Sequence, residues 1–278
     1  MEIGIFSRTY PQKQLEQIFI RMKEAGIRHT QFNLLSAQME TMPISIKEDT
    51  LAEIAALCTK YNIVLDALSG TFNMVATDLE EREEGCRRFE VLCKAALFLN
   101  IPIVSLCTGS KNRQSKWKWH DANDSKETFE DLLRTTDKIL KYAEAYDLVL
   151  GVEIEDSNVV HSGKIARRYF DAFNSDRLKI IMDGANLFTP GKVTDQREIL
   201  EDTFSLVGKD IVLAHAKDIT DKEADCFVAA GEGILDFDIY IELLRKYGYG
   251  GPLIMHGLEE CQIAHSKRYL EDKLHGLY

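Results

Sequence analysis

Leu148-Val-Leu-Gly-Val-Glu153 is a short apolar run closed by a carboxylate, and Lys179-Ile-Ile-Met-Asp183 is another; between them, residues 162–173 repeat apolar side chains at helical spacing. A short aliphatic run bounded by polar turns reads as a strand buried on both faces, whereas a longer segment with a 3.6-residue period reads as a helix. Strand, helix, strand is a crossover unit, and crossovers join parallel neighbours.

The same unit repeats outward in both directions. Strand-like runs fall at residues 2–6, 29–33, 63–68, 103–107, 148–153, 179–183, 211–216 and 252–256. Amphipathic segments occupy 14–25, 47–61, 80–99, 125–146, 162–173, 196–207, 236–247 and 260–274. Gly26, Asn62 and Asn100 stand where helices should stop, each followed within a few residues by an apolar strand. Eight β-then-α units predict an α/β chain closed into a single (β/α)8 TIM barrel, with residues 1–278 as one domain. A doubly wound open sheet is the alternative. Against it, the first unit has no G-x-G-x-x-G turn, and no Pro/Gly/Ser-rich linker divides the 278 residues.

Composition narrows the function classes. With 45% hydrophobic and 28% charged residues the chain can bury a large core. A net charge of −11 repels phosphate backbones, so no nucleic-acid partner is expected; Lys111, Arg113, Lys116 and Lys118 form the one basic stretch. No apolar stretch reaches the roughly 18 residues of a membrane span, and the first residues run straight into a strand, so a cytoplasmic protein without a membrane partner is expected. The six cysteines fall singly, without C-x-x-C spacing, and read as reduced thiols. Apolar residues on the outer helices would fit a homo-oligomer.

In such a barrel the chemistry sits at the carboxyl ends of the strands. The fifth run ends Glu153-Ile-Glu155-Asp156, the sixth Asp183-Gly-Ala-Asn186, the seventh His215-Ala-Lys217-Asp218 and the eighth Met255-His256. Two carboxylates and two imidazoles at one level, Glu153, Asp183, His215 and His256, form a mixed oxygen and nitrogen ligand set. Such a set suits one divalent ion, Mn²⁺, Zn²⁺, Co²⁺ or Fe²⁺ in preference to Mg²⁺. Singly, any of these residues would more often be a salt-bridged structural group. Together they would bury uncompensated charge unless a cation joined them.

The runs Glu153-Ile-Glu155-Asp-Ser-Asn158-Val-Val, Lys179-Ile-Ile-Met-Asp183-Gly-Ala-Asn186-Leu-Phe, His215-Ala-Lys-Asp218, Gly231-Glu232-Gly233 and Pro252-Leu-Ile-Met-His256-Gly-Leu resemble the xylose-isomerase-like barrel superfamily of sugar-phosphate isomerases and epimerases. The resemblance covers essentially the whole chain. It implies that Glu153, Asp183 and His215 occupy three of the family's four core metal-ligand positions. The fourth is usually a glutamate, which the epimerases also use as the second of two acid–base carboxylates. His256 stands there in this chain, so the two-glutamate mechanism does not carry over intact. A histidine is common three residues after the sixth-strand aspartate, and here the position is Asn186, which speaks against further metals.

Several loop residues are candidates for holding substrate. Ser69 to Met74 is small and polar with one aromatic, and supplies Asn73; an ordinary turn is the plain alternative. The longest loop, after the fourth run, carries both tryptophans, among them Trp119 beside His120; a solvent-facing His120 is the alternative. Glu232 lies between Gly231 and Gly233, which could close over a ligand or form a plain exposed turn. Lys217 could hold a substrate anion, or pair with a carboxylate such as Asp218.

The expected function is a metal-dependent isomerase or epimerase acting on a small sugar or sugar phosphate, by proton abstraction α to a carbonyl through an enediolate. Glu153 is the expected base, with His256 as fourth ligand or as opposing acid–base group. An inosose-type dehydratase, a non-catalytic sugar-binding barrel and, least favoured, an apurinic endonuclease are the rivals.

Overall fold

The structure, a computed structural model, describes residues 1–11, 14–173 and 175–276. Its strands are β1 (Ile3–Phe6), β2 (His29–Phe32), β3 (Val64–Ser69), β4 (Ile103–Leu106), β5 (Val149–Glu153), β6 (Leu178–Asp183), β7 (Ile211–Ile219), β8 (Phe227–Ala229) and β9 (Leu253–Met255). All except β8 pair in parallel from β1 round to β7, then β9, and back to β1. The eight-stranded barrel is therefore closed. Helices α1 (Leu15–Glu24), α2 (Glu48–Tyr61), α3 (Leu79–Phe98), α4 (Lys126–Ala145), α5 (Gly163–Asp171), α6 (Gln196–Val207), α7 (Phe237–Lys246) and α8 (Ile263–His275) surround it. The chain is a single (β/α)8 TIM barrel, and among the described residues no helix is long and apolar enough to cross a membrane.

Local chemistry accounts for the helix boundaries. Ser125 opens α4 by accepting from the Thr128 amide at 3.2 Å, and Asp78 opens α3 by accepting from the Glu80 amide at 2.9 Å. At the other ends, Gly26, Asn62 and Asn100 take left-handed backbone with φ of 67°, 57° and 54°. That turn frees the chain to leave the helix and enter the next strand.

Inside the barrel, Ala67, Ile103, Ile181, Leu213 and Ile254 form one packed apolar layer. Small residues make room for it: a Cβ on Gly151 would meet Ile181 carbons at 2.7 Å. Asp183, His215 and His256 each stand two residues beyond a member of this layer, Ile181, Leu213 and Ile254 respectively, toward the strand carboxyl ends. Outside the barrel, side chains such as Phe19, Phe89, Tyr169, Phe204 and Tyr240 are fully buried between sheet and helices. All six cysteines are free, and four of them are buried.

One element departs from the pattern read in the sequence. The seventh run continues three residues past Ala216, and Lys217–Ile219 pairs antiparallel with β8. Lys217 and Asp218 break the apolar signal, yet both are buried. Asp218 resolves its burial by accepting four backbone hydrogen bonds, from the amides of Ile219, Gly231, Gly233 and Leu235 at 2.8 to 3.0 Å. Those bonds hold the turn after β8 against Asp218 of β7.

Candidate metal centre

Glu153 closes β5, Asp183 closes β6, His215 lies within β7 and His256 follows β9 directly. Strand register thus brings together side chains up to 103 residues apart in sequence. Tyr240 of α7 locks two of the strands, its hydroxyl donating to the Met182 carbonyl at 2.9 Å and lying 3.1 Å from the His215 carbonyl. One ligand atom from each of the four residues lies within 4.8 Å of the others.

The finer geometry shows why the cluster is incomplete on its own. His215 Nδ1 is 3.3 Å from Glu153 Oε1 and 3.4 Å from Asp183 Oδ2, while His256 Nδ1 is 3.9 Å from Asp183 Oδ2. These are ion-pair separations without hydrogen-bond alignment. Asp183 Oδ2, His215 Nδ1 and His256 Nδ1 are all buried and lack a hydrogen-bond partner among the described residues. Orphaned polar atoms are rare in folded proteins, and three converging on one place are costly. A cation between two carboxylate oxygens and two imidazole nitrogens would satisfy all of them at once, so the residues fit a divalent metal.

The electrostatics agree. Burial alone would push Asp183 up, but Lys217 and the two imidazoles hold it well below the usual carboxylate range. Glu153 is likewise held low against its burial, chiefly by His215. Burial opposes charge on His215, yet Glu153 and Asp183 outweigh it and lift the ring to about 9. Without a cation, a proton on His215 takes the place of positive charge. His256 moves the other way: burial favours its neutral form. Glu155, two residues beyond Glu153, is pushed up to about 8 by burial and by the Glu153 charge.

Two further expected residues join the cluster. Asn186 Nδ2 donates to Glu153 Oε1 at 3.0 Å, and its Oδ1 accepts from Lys217 Nζ. Lys217 Nζ is 3.3 Å from Asp183 Oδ2 and 4.1 Å from the centre of the Phe227 ring. Its carboxylate partner is therefore Asp183, while the neighbouring Asp218 is committed to backbone amides.

The other loop residues lie elsewhere. Asn73 spends its amide on Ser110, donating to the Ser110 carbonyl at 2.8 Å and accepting from its amide at 3.1 Å, which ties the β3 loop to the β4 loop. Trp119 and His120 are exposed; Trp119 packs edge-on against His161, and His120 Nδ1 caps a short turn by accepting from the Ala122 amide at 3.1 Å. Glu232 is exposed and accepts from Gln262 Nε2 at 2.7 Å. Within the basic stretch, Lys111 is paired with Asp131 at 2.7 Å, while Lys116 Nζ donates to the Thr71 carbonyl at 2.7 Å. Sequence reading did not single out Gln31, whose Oε1 is 2.7 Å from His215 Nε2 across the barrel. Its only signal was a polar residue in the middle of the second apolar run.

Fold and cluster together define a (β/α)8 barrel with a buried Glu, Asp, His, His set that fits a metal ion at the carboxyl ends of its strands. The chain belongs to the xylose isomerase-like TIM barrel family, whose model matches residues 19–273. A search of curated proteins gives no match. Among solved structures, a D-tagatose 3-epimerase-like protein superposes with a TM-score of 0.80 at 16% identity, covering 100% of this chain and 98% of that one. The protein IolI with a bound zinc atom gives 0.77 at 15% identity, covering 100% and 99%. A 3-keto-D-glucoside 4-epimerase from E. coli gives 0.74 at 17% identity, covering 98% and 99%. At these identities the likeness is one of fold.

Proposed function

We propose that this protein is a divalent-metal-dependent isomerase or epimerase of a small sugar or sugar phosphate, working by proton abstraction α to a carbonyl. The observation that carries the reading is the buried set of unpaired ligand atoms on Asp183, His215 and His256 beside the carboxylate of Glu153. Similarity of fold to two proteins described as epimerase or epimerase-like supports the substrate class. Glu153, Asp183, His215 and His256 would hold the ion, with Mn²⁺, Zn²⁺, Co²⁺ or Fe²⁺ better matched than Mg²⁺ to two nitrogen donors. The bound ion would supply Lewis-acid polarisation of the substrate carbonyl.

The chain's own residues divide the remaining work. Both contacts of Glu153, to Asn186 and His215, are made by Oε1, which leaves Oε2 to take the α-proton. Asn186 orients that carboxylate, and Lys217, anchored on Asn186 and Asp183, places a positive charge beside the developing enediolate. His256 turns Nδ1 toward Asp183 Oδ2, which favours its role as ligand over proton carrier. Glu155 is then the carboxyl group nearest to Glu153 in sequence that remains to handle a second proton.

The test is solvent exchange. The metal-loaded chain in D₂O, incubated with a panel of ketoses, their phosphates and keto-inositols, should incorporate deuterium at one carbon α to the carbonyl, and Glu153→Gln should abolish it. Loss of water after exchange would point to the dehydratase. Binding of a panel member without exchange would establish the non-catalytic barrel instead.

A further inference from the structure

We propose that Gln31 is a positioning residue that fixes His215 in the tautomer with its proton on Nε2, so that the Nδ1 lone pair faces the metal cluster. The inference rests on the reading that the cluster holds a divalent ion, and it concerns how one ligand is made ready. A neutral imidazole can offer a lone pair from one nitrogen only if the other carries the proton. His215 Nε2 is 2.7 Å from Gln31 Oε1, and the two residues are 1% and 4% exposed, so water does not compete for that contact. The Gln31 amide is itself held: its Nε2 donates to Ser69 Oγ on the neighbouring strand at 3.4 Å, which turns Oε1 toward the imidazole.

The consequence appears at the opposite side of the ring. With the proton on Nε2, the Nδ1 lone pair points at Glu153 Oε1 and Asp183 Oδ2, 3.3 and 3.4 Å away. A lone pair facing two carboxylates is repulsive until a cation lies between them. The reverse tautomer would place Nδ1–H against those oxygens and leave no lone pair for a metal. Gln31, on β2, thus controls from across the barrel whether the β7 ligand can bind. The choice of an amide matters as well. A carboxylate would also accept the Nε2 proton, but it would add a third buried negative charge next to Glu153 and Asp183.

Metal-ligating histidines commonly rely on such an outer partner, and its removal costs about 10- to 100-fold in metal affinity. The experiment measures zinc dissociation constants by competition with a chromophoric chelator for wild type, Gln31→Leu and Gln31→Glu, alongside long-range ¹H–¹⁵N imidazole spectra of the zinc-loaded wild-type protein, in which His215 is neutral and carries a single ring proton. Gln31→Leu should bind zinc about 10- to 100-fold more weakly, and Gln31→Glu, which keeps an acceptor, should recover all but a few-fold of that loss. The wild-type spectrum should place the His215 proton on Nε2. Unchanged zinc affinity in Gln31→Leu, or a proton on Nδ1 in the zinc-loaded wild type, would overturn the assignment, and the second result stands even if Gln31→Leu does not fold. Failure of the wild-type chain to bind zinc or manganese at all would overturn the metal reading itself, and this inference with it.

Discussion

Adding a divalent cation to the metal-free chain should expel protons, and the structure sets how many. His215, lifted to about 9 by Glu153 and Asp183 against its burial, carries a proton at pH 7.5 in nearly every molecule, so it gives up about one proton when Nδ1 is needed as a ligand. Glu155, pushed up to about 8, is protonated in about three-quarters of the molecules at that pH and should lose that proton to the field of the cation. His256 is shifted toward its neutral form, and Asp183 and Glu153 are held low, so these three contribute almost nothing. The total is between about one and two protons per ion bound.

Calorimetric titration with manganese in buffers of different ionisation enthalpy reads that number directly, and Glu155→Gln should reduce it toward one. The same proton links to stability. Because the folded value of His215 lies above its ordinary 6.5, its contribution of about 3 kcal/mol is fully present below pH 6.5 and is lost as pH rises through about 9. Saturation with metal should flatten that dependence, since the ligand nitrogen is then no longer free to titrate. Metal binding at pH 7.5 with no proton release would refute this account of the cluster's charge.

Asp218→Ala should lower stability by about 3 kcal/mol, because four backbone amides, two buried and two part-buried, lose their acceptor at once; urea unfolding measures it, and a change below about 1 kcal/mol would contradict the anchoring role. Gly151→Ala should cost about 1 to 3 kcal/mol, since the new Cβ would press on Ile181 carbons at 2.7 Å in the packed layer beneath the centre. Glu232→Ala, which removes only an exposed contact with Gln262, should leave zinc affinity and deuterium exchange within about twofold of wild type. A larger loss of exchange would mean that the turn closes over the substrate.

The fold was legible because strand and helix signals are local. The eight apolar runs match the barrel strands to within a few residues, and Gly26, Asn62 and Asn100 end helices through left-handed backbone as their chemistry suggests. The gathering of Glu153, Asp183, His215 and His256 was legible for a related reason: residues closing the apolar runs of neighbouring barrel strands stand at one level, as the pairing of Asp183 with His215 shows. What escaped depends on contacts between distant segments. The extension of β7 was hidden because Lys217 and Asp218 look like loop residues until their buried partners are known. Gln31 looked like a polar interruption because its partner is 184 residues away. The direction of loop side chains was equally out of reach. Asn73 turns to Ser110, and Trp119 and His120 face solvent, because loop packing rather than residue type decides which way they point.

The most direct test of the central claim is metal content by plasma mass spectrometry on protein purified without chelator or histidine tag, comparing wild type with Asp183→Ala and His256→Ala. The account predicts close to one Mn, Zn, Co or Fe per wild-type chain, lost in both variants while their folding is retained. A wild-type chain that carries no such ion, even after incubation with all four, would contradict it.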